Sequence, residues 1–357
     1  MSDAERRNGL EGIPGKWVRD LEPEMPAIDA ARQVLELRLK SVETLLPLAA
    51  RHAHEDTEYV HQLRVATRRS GAALRAFRPC LRKKSARGMA KSLRTIRRAA
   101  GEARCLDVQI KAVQSLRKQF SGGARVLIEE FTDELGQRRV DANLALEQTL
   151  KHFPRKTLKG RRKAVMTSLH EPSPWLRQSC PDVPSGEGPM TLRQLGEVTV
   201  PSLVRSLQRA GSADLRLIET LHDLRLHGKR LRYALEIFRC CQGELFKPRY
   251  ERLESFQEAL GDINDAHELL VAMKRFVAGR TNRRREVFGE AVMDDVDARS
   301  AAGDVMTMTL RQRRDDGVRV FLDAWRAGAW KDLWTTVPSG GNGRSAGPPS
   351  VQSEVVT

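Results

Sequence analysis

Apolar residues in this chain recur three and four positions apart, and almost no stretch alternates every second residue. From 27 to 48 the apolar positions are Ile28, Ala31, Leu35, Leu39, Val42 and Leu46, a spacing that lines one face of a helix. Similar amphipathic segments follow at about 56–78, 84–119, 123–152 and 156–169. Five more occupy about 191–210, 214–240, 247–278, 283–299 and 302–330. Between Glu171 and Pro189, five prolines and two glycines stop helical periodicity, which predicts a linker over 171–190. Residues 1–26 hold three prolines and little periodicity and predict a flexible lead-in. The low-complexity stretch 336–357 predicts a disordered tail. The expected fold is all-α, with a domain over 27–335 divided into halves 27–170 and 191–335.

An internal repeat supports that division. HQLRVATRRSGAALRAF (61–77) aligns without gaps on HDLRLHGKRLRYALEIF (222–238), with seven of seventeen residues identical. Downstream, GEARCLD (101–107) corresponds to GDINDAH (261–267) at nearly the same offset. On a helical wheel, Leu63, Ala66, Ala73, Leu74 and Phe77 form a core stripe in the first copy. His61, Arg64, Arg68 and Arg75 share the opposite face. In the second copy the stripe is Leu224, Leu231, Ala234, Leu235 and Phe238, and His222, Arg225, Lys229 and Arg232 share the far face.

Like charges one turn apart repel by a few tenths of a kcal/mol per pair, up to about 0.5 kcal/mol. A merely solvated face would interleave acids, so a cationic row in both copies points to an anion bound along it. Arginine suits this, because its planar fork donates two hydrogen bonds to one phosphate. The whole chain agrees: 62 Lys and Arg against 46 Asp and Glu leave a net charge of +16. Such an excess predicts a polyanionic partner. From Arg82 to Arg104 there are nine basic residues and one acid, Glu102, and Lys91, Arg94 and Arg98 share one face there. Arg155–Lys163 and Arg283–Arg285 are further basic runs, less specific than the two rows.

The five cysteines (Cys80, Cys105, Cys180, Cys240 and Cys241) form no C-x-x-C, and the vicinal pair is expected to face different ways on a helix. Neither a metal staple nor a disulfide framework is expected, which suits a cytoplasmic protein. The N-terminus lacks an apolar signal core, no run approaches the roughly 18 apolar residues of a membrane span, and no membrane insertion is expected.

With these residues in place, the sequence resembles the CHAD family, the conserved-histidine α-helical domain. Its signature is similar to H-x-x-R-V-A-T-R-R-L-R-x-x-L-R-x-F, matched by 61–77, and to H-x-L-R-x-x-x-K-R-L-R-Y, matched from His222 to Tyr233. An L-G-x-x-x-D element resembles Gly101–Asp107 and Leu260, Gly261, Asn264 and Asp265. The resemblance spans about 27–335. It implies two four-helix bundles related by a pseudo-twofold repeat, a basic cavity, and binding of inorganic polyphosphate, often at polyphosphate granules. Carried over by position, the implied ligands are His61, Arg64, Arg68, Arg75, His222, Arg225, Lys229 and Arg232, with Lys91, Arg94 and Arg98 as a second rank. Gly71 stands where the family usually has Arg, Ser70 where it has Leu, and Cys105 where an acid commonly follows Arg104. The second copy, with Arg232 at the place of Gly71, is expected to be the stronger half.

No enzyme is expected. The E-x-E-x-K strand of the triphosphate-processing CYTH domains is approached only by ELRLK (36–40), inside a helical segment, and no CYTH barrel fits in 1–26. Walker A, H-E-x-x-H and G-x-S-x-G patterns are absent. No cofactor and no metal is expected, because a histidine among arginines is a poor place for a cation. The alternatives are a nucleic-acid binder using the same rows and, less favoured, a metal-binding helical domain. Against nucleic acid stand an aromatic content of 5% and the lack of stacking platforms for single strands.

Overall fold

The structure, a computed structural model, describes residues 13–173, 176, 188–244, 246–288 and 293–333, without the side chains of 281–300 and 332. Among the described residues the secondary structure is helical, with no strand and two isolated bridges, Pro26–Thr191 and Leu81–Leu169. The helices are α1 (Ala27–Arg51), α2 (Glu58–Ala76), α3 (Lys83–Leu116), α4 (Gly122–His152), α5 (Arg155–Met166), α6 (Leu192–Gly211), α7 (Ile218–Ile237), α8 (Phe246–Phe288) and α9 (Met293–Arg326). The all-α expectation holds. Most of 171–190 and all of 336–357 lie outside the described residues, as do the side chains of Arg283–Arg285.

The chain forms two compact units, and each draws on both halves of the sequence. One comprises residues 1–101, 143–257 and 330–357, the other 102–142 and 258–329. In the first unit, α1 packs on α2, α5 and α6, α6 on α7, and α2 on α7. The apolar stripe of α1 is buried at Ala31, Leu35, Leu39, Val42 and Leu46. All ten stripe residues of the repeated helices are buried as well, and Phe77 and Phe238 meet at 6.4 Å between ring centroids. Helix α6 begins with a capping box: the Thr191 hydroxyl accepts from Gln194 N, and the Gln194 side chain accepts from Thr191 N. Gly196 gives α6 its close approach to α7, since a Cβ there would lie 3.1 Å from the Phe238 ring.

The lead-in is fastened over its second part. Buried Arg38 donates to the carbonyls of Gly15 and Lys16, both at 2.7 Å, and Trp17 packs edge-on against Phe246 and Tyr250. The expectation of a mobile segment over all of 1–26 therefore fails for these residues: one tryptophan and two accepting carbonyls anchor a stretch with no periodicity of its own.

The second unit has its own core, including Leu106, Phe131, Leu135, Ile263, Met273, Phe276 and Phe321. Phe131 and Phe276 meet at 5.0 Å, and the buried pair Asp107–Arg139, at 2.5 Å, ties α3 to α4. The three segments expected at 247–278, 283–299 and 302–330 are two helices instead. Helix α8 continues through Gly279, and α9 through Gly303. An isolated interior glycine costs about 1 kcal/mol, which a long flanking helix absorbs. Gly303 also lets α9 come close to α8, since a Cβ there would lie 3.0 Å from Val277.

Candidate anion-binding site

The site grows from the contact between α2 and α7, the two repeated helices, which lies wholly in the first unit. Their core stripes face the unit's interior, and this leaves the two cationic faces beside each other. Lys229 shows the consequence. It is half-buried on α7, and desolvation followed by the charges of Arg68, Arg225, Arg64 and Arg232 pushes its ammonium down to about 5. Five of the eight residues in the expected rows thus converge on one place, and the five leading causes of the shift include no acid.

The following helix adds to this group. Arg64 Nη1 donates to the Gly101 carbonyl at 3.1 Å, which locks α2 onto α3 and fixes the direction of its guanidinium. Arg97 of α3 has its pKa lowered by desolvation and then by Arg68, Arg94 and Arg98. Arg94 and Arg98, expected as second-rank ligands, are exposed, as is Arg97, which the helical wheel did not select and on which their charges act together with that of Arg68. The signal was available, since Arg97 stands one turn from Arg94, but the face chosen there ran through 91, 94 and 98. Lys91 is exposed one turn further back on α3.

Across the α2–α7 contact the repeat places matching positions opposite each other with different charges. Arg69 donates to Glu236 at 2.7 Å in a buried ion pair, and Tyr250 donates to the other Glu236 oxygen at 3.1 Å. The repeat equivalents of Arg69 and Glu236 are Arg230 and Arg75. There the two cations oppose each other, and desolvation, then Arg230 and Arg97, lower the pKa of Arg75. One of the two matching contacts is neutralised, and the other adds to the excess. Arg230 is the second site residue that the wheel missed, because it lies off the face of its own row.

Arg232 is half-buried, with its guanidinium 5.1 Å from the Tyr233 ring centroid and its Nη1 3.9 Å from Glu254. Its Nε is buried without a hydrogen-bond partner in the structure. Glu254 also accepts from Lys16 at 2.7 Å, so the second row ends beside an acid that the first does not share. His61 is half-buried and His222 exposed, and the five leading causes of the Lys229 shift are desolvation and four arginines. Ser70, at the place of the family's usual Leu, is fully buried and donates to the Arg38 carbonyl at 2.8 Å, replacing packing with a tie to α1.

With this geometry in view, a match to the model of the CHAD domain over residues 33–274 decides the family. The chain belongs to the CHAD family. That family is linked to polyphosphate. Among solved structures, this CHAD chain is similar to the CHAD domain from the plant Ricinus communis, with a TM-score of 0.60 and 20% identity over 88% of this chain and 97% of that one. It is also similar to PptA from Streptomyces chartreusis, with a TM-score of 0.59 and 18% identity over 84% and 99% of the two chains. Both likenesses concern the fold. No curated protein matches the sequence. Among the described residues no helix is long and apolar enough to cross a membrane.

Proposed function

We propose that this CHAD protein binds inorganic polyphosphate along the cationic faces of α2 and α7, and that it binds without catalysis. The observation that carries the proposal is Lys229, a half-buried lysine whose ammonium is pushed down by desolvation and then by the charges of Arg68, Arg225, Arg64 and Arg232. Seating a lysine among four guanidiniums, so that it sheds its proton at neutral pH, costs free energy that nothing in the apolar packing requires. A chain of phosphates reverses that cost, because it brings regularly spaced negative charge and acceptor oxygens for the guanidinium forks. The polymer lies across the Arg64–Arg68–Lys229–Arg225 group, with Arg97, Arg94 and Arg98 on one side and Arg75 with Arg230 on another. Recruitment to polyphosphate granules follows as a cellular consequence of such binding.

Arg64→Glu/Arg225→Glu is the direct test, with polyphosphates of graded chain length as ligands. The double substitution is expected to weaken binding at least about 100-fold, from the loss of two charge-assisted contacts worth about 1.5–3 kcal/mol each. Unchanged affinity would remove the proposal. Competition against DNA at matched salt separates polyphosphate from a general preference for phosphodiesters, and tighter binding of DNA would favour the nucleic-acid alternative.

A further inference from the structure

The turn that ends α7 carries chemistry the anion site does not use. Arg239–Cys241 form one 3-10 turn, held by Cys241 N donating to the Phe238 carbonyl at 3.0 Å and Gln242 N to the Arg239 carbonyl at 3.2 Å. Adjacent residues on a helix send their Cβ atoms about 100° apart, hence the expectation that the two thiols diverge. The sulfurs converge instead, at 3.8 Å, because Cβ direction does not fix where the next atom lies. Both residues are half-buried, so a small solute reaches them, whereas Cys80 is fully buried. Arg193, in the first turn of α6, supplies the neighbouring positive charge.

We infer that Cys240 and Cys241 form a peroxide-sensitive dithiol, in which Cys240 is oxidised first and Cys241 resolves it to a vicinal disulfide. The pair divides its protons unequally. The hydrogen bond from Cys241 holds the Cys240 thiol down at about 7, while the same contact and burial push Cys241 up. At neutral pH Cys240 is thus the nucleophile. Its thiolate attacks one oxygen of a hydroperoxide. The O–O bond breaks, the leaving oxygen takes a proton to become water or alcohol, and Cys240 becomes a sulfenic acid. The Cys241 sulfur then attacks the Cys240 sulfur, the S–O bond breaks, and the departing hydroxide takes the Cys241 proton as water. In sum, two thiols and one hydroperoxide give one disulfide and two molecules of water, or one of water and one of alcohol.

Closing this ring disturbs the turn. Adjacent Cα atoms lie about 3.8 Å apart across a trans peptide, below the roughly 4.4–6.8 Å usual for a disulfide. The backbone of 239–242 must therefore rotate, and the two hydrogen bonds that hold the end of α7 are the first to give. Phe238, whose ring seats on Gly196 and against Phe77, adjoins that movement.

The test uses the full chain with iodoacetamide, hydrogen peroxide and dimedone, read by mass spectrometry of the peptide carrying both cysteines. Alkylation of Cys240 is expected to rise with a midpoint near pH 7. In Cys241→Ala the midpoint moves up and the rate at pH 7 falls about fivefold or more, since the lost hydrogen bond is the main cause of the low value. Hydrogen peroxide should remove two hydrogens from that peptide in the native chain, and leave a dimedone-reactive sulfenic acid at Cys240 in Cys241→Ala. Alkylation of Cys240 no faster than that of half-buried Cys105 would overturn the inference. So would a native pair that stays reduced at peroxide levels that oxidise free cysteine. Both comparisons run on the native chain, so they decide the matter even where Cys241→Ala folds poorly. Neither readout depends on polyphosphate.

Discussion

Lys229 concentrates the behaviour of the site in one residue. Its ordinary pKa of 10.5 falls to about 5 in the folded, unliganded protein through desolvation and the four arginines. Between those values the unfolded chain carries one more proton here than the native chain, so unliganded stability rises with pH across that window. Lys229→Met should then raise Tm at neutral pH by a few degrees, yet weaken polyphosphate binding about tenfold through the lost charged contact. On the proposed function, bound polyanion restores the ammonium, so binding takes up a proton, and affinity should fall as pH rises from 6 to 9. Calorimetry in buffers of different ionisation enthalpy measures the uptake; pH-independent binding without it would contradict this account. The second wheel row contained Lys229, but a wheel holds no information about a second helix. Desolvation is the largest cause of the depressed pKa, and α2 adds the charges of Arg68 and Arg64 to those of Arg225 and Arg232 on the lysine's own helix.

The two repeated helices carry glycines with opposite duties. Gly71 of α2 has room, since a Cβ there would meet only Arg75 Nη1, at 3.5 Å. Gly71→Ala should therefore stabilise the protein by up to about 1 kcal/mol through helix propensity. Gly228 of α7 has none: a Cβ there would lie 2.9 Å from Phe256 and closer still to the Gln257 amide. Gly228→Ala should cost about 1–3 kcal/mol of overpacking, and urea unfolding of the two variants should give shifts of opposite sign. Helix propensity by itself treats the two glycines alike. Only the packing of α8 on α7 tells the tolerated one from the required one. The same limit explains Glu236, an acid in the signature stretch that the pattern left unassigned and that the structure places against Arg69 and Tyr250.

At the scale of the molecule, the net charge of +16 foretells a polyanion, while the fold decides where the charge acts. Six cations (Arg64, Arg68, Arg97, Arg225, Lys229 and Arg232) should release counterions on binding. The slope of log affinity against log salt is then expected on the order of −4. A slope near zero would mean that the cluster is not the contact. The lead-in belongs at this scale too. Deleting residues 1–18 removes Trp17 from Phe246 and Tyr250 and strips both carbonyls from the buried Arg38 guanidinium. The loss should be at least about 2 kcal/mol, checked by denaturant unfolding.

Spacing along the chain was enough to place the helices up to α7, their core stripes, the repeat and the cationic faces, because each follows from residues within one segment. The family was also legible, since its motifs are local. Three-dimensional packing was needed to show that the two rows meet, that Arg97 and Arg230 join them, and that α8 and α9 run through their glycines. It also brought Cys240 and Cys241 together and fastened the lead-in. These depend on which surfaces face each other, and residue spacing along one helix does not encode its neighbours. The two His-x-x-Arg helices are thus a pattern in the sequence, and a candidate site only where α2 lies against α7.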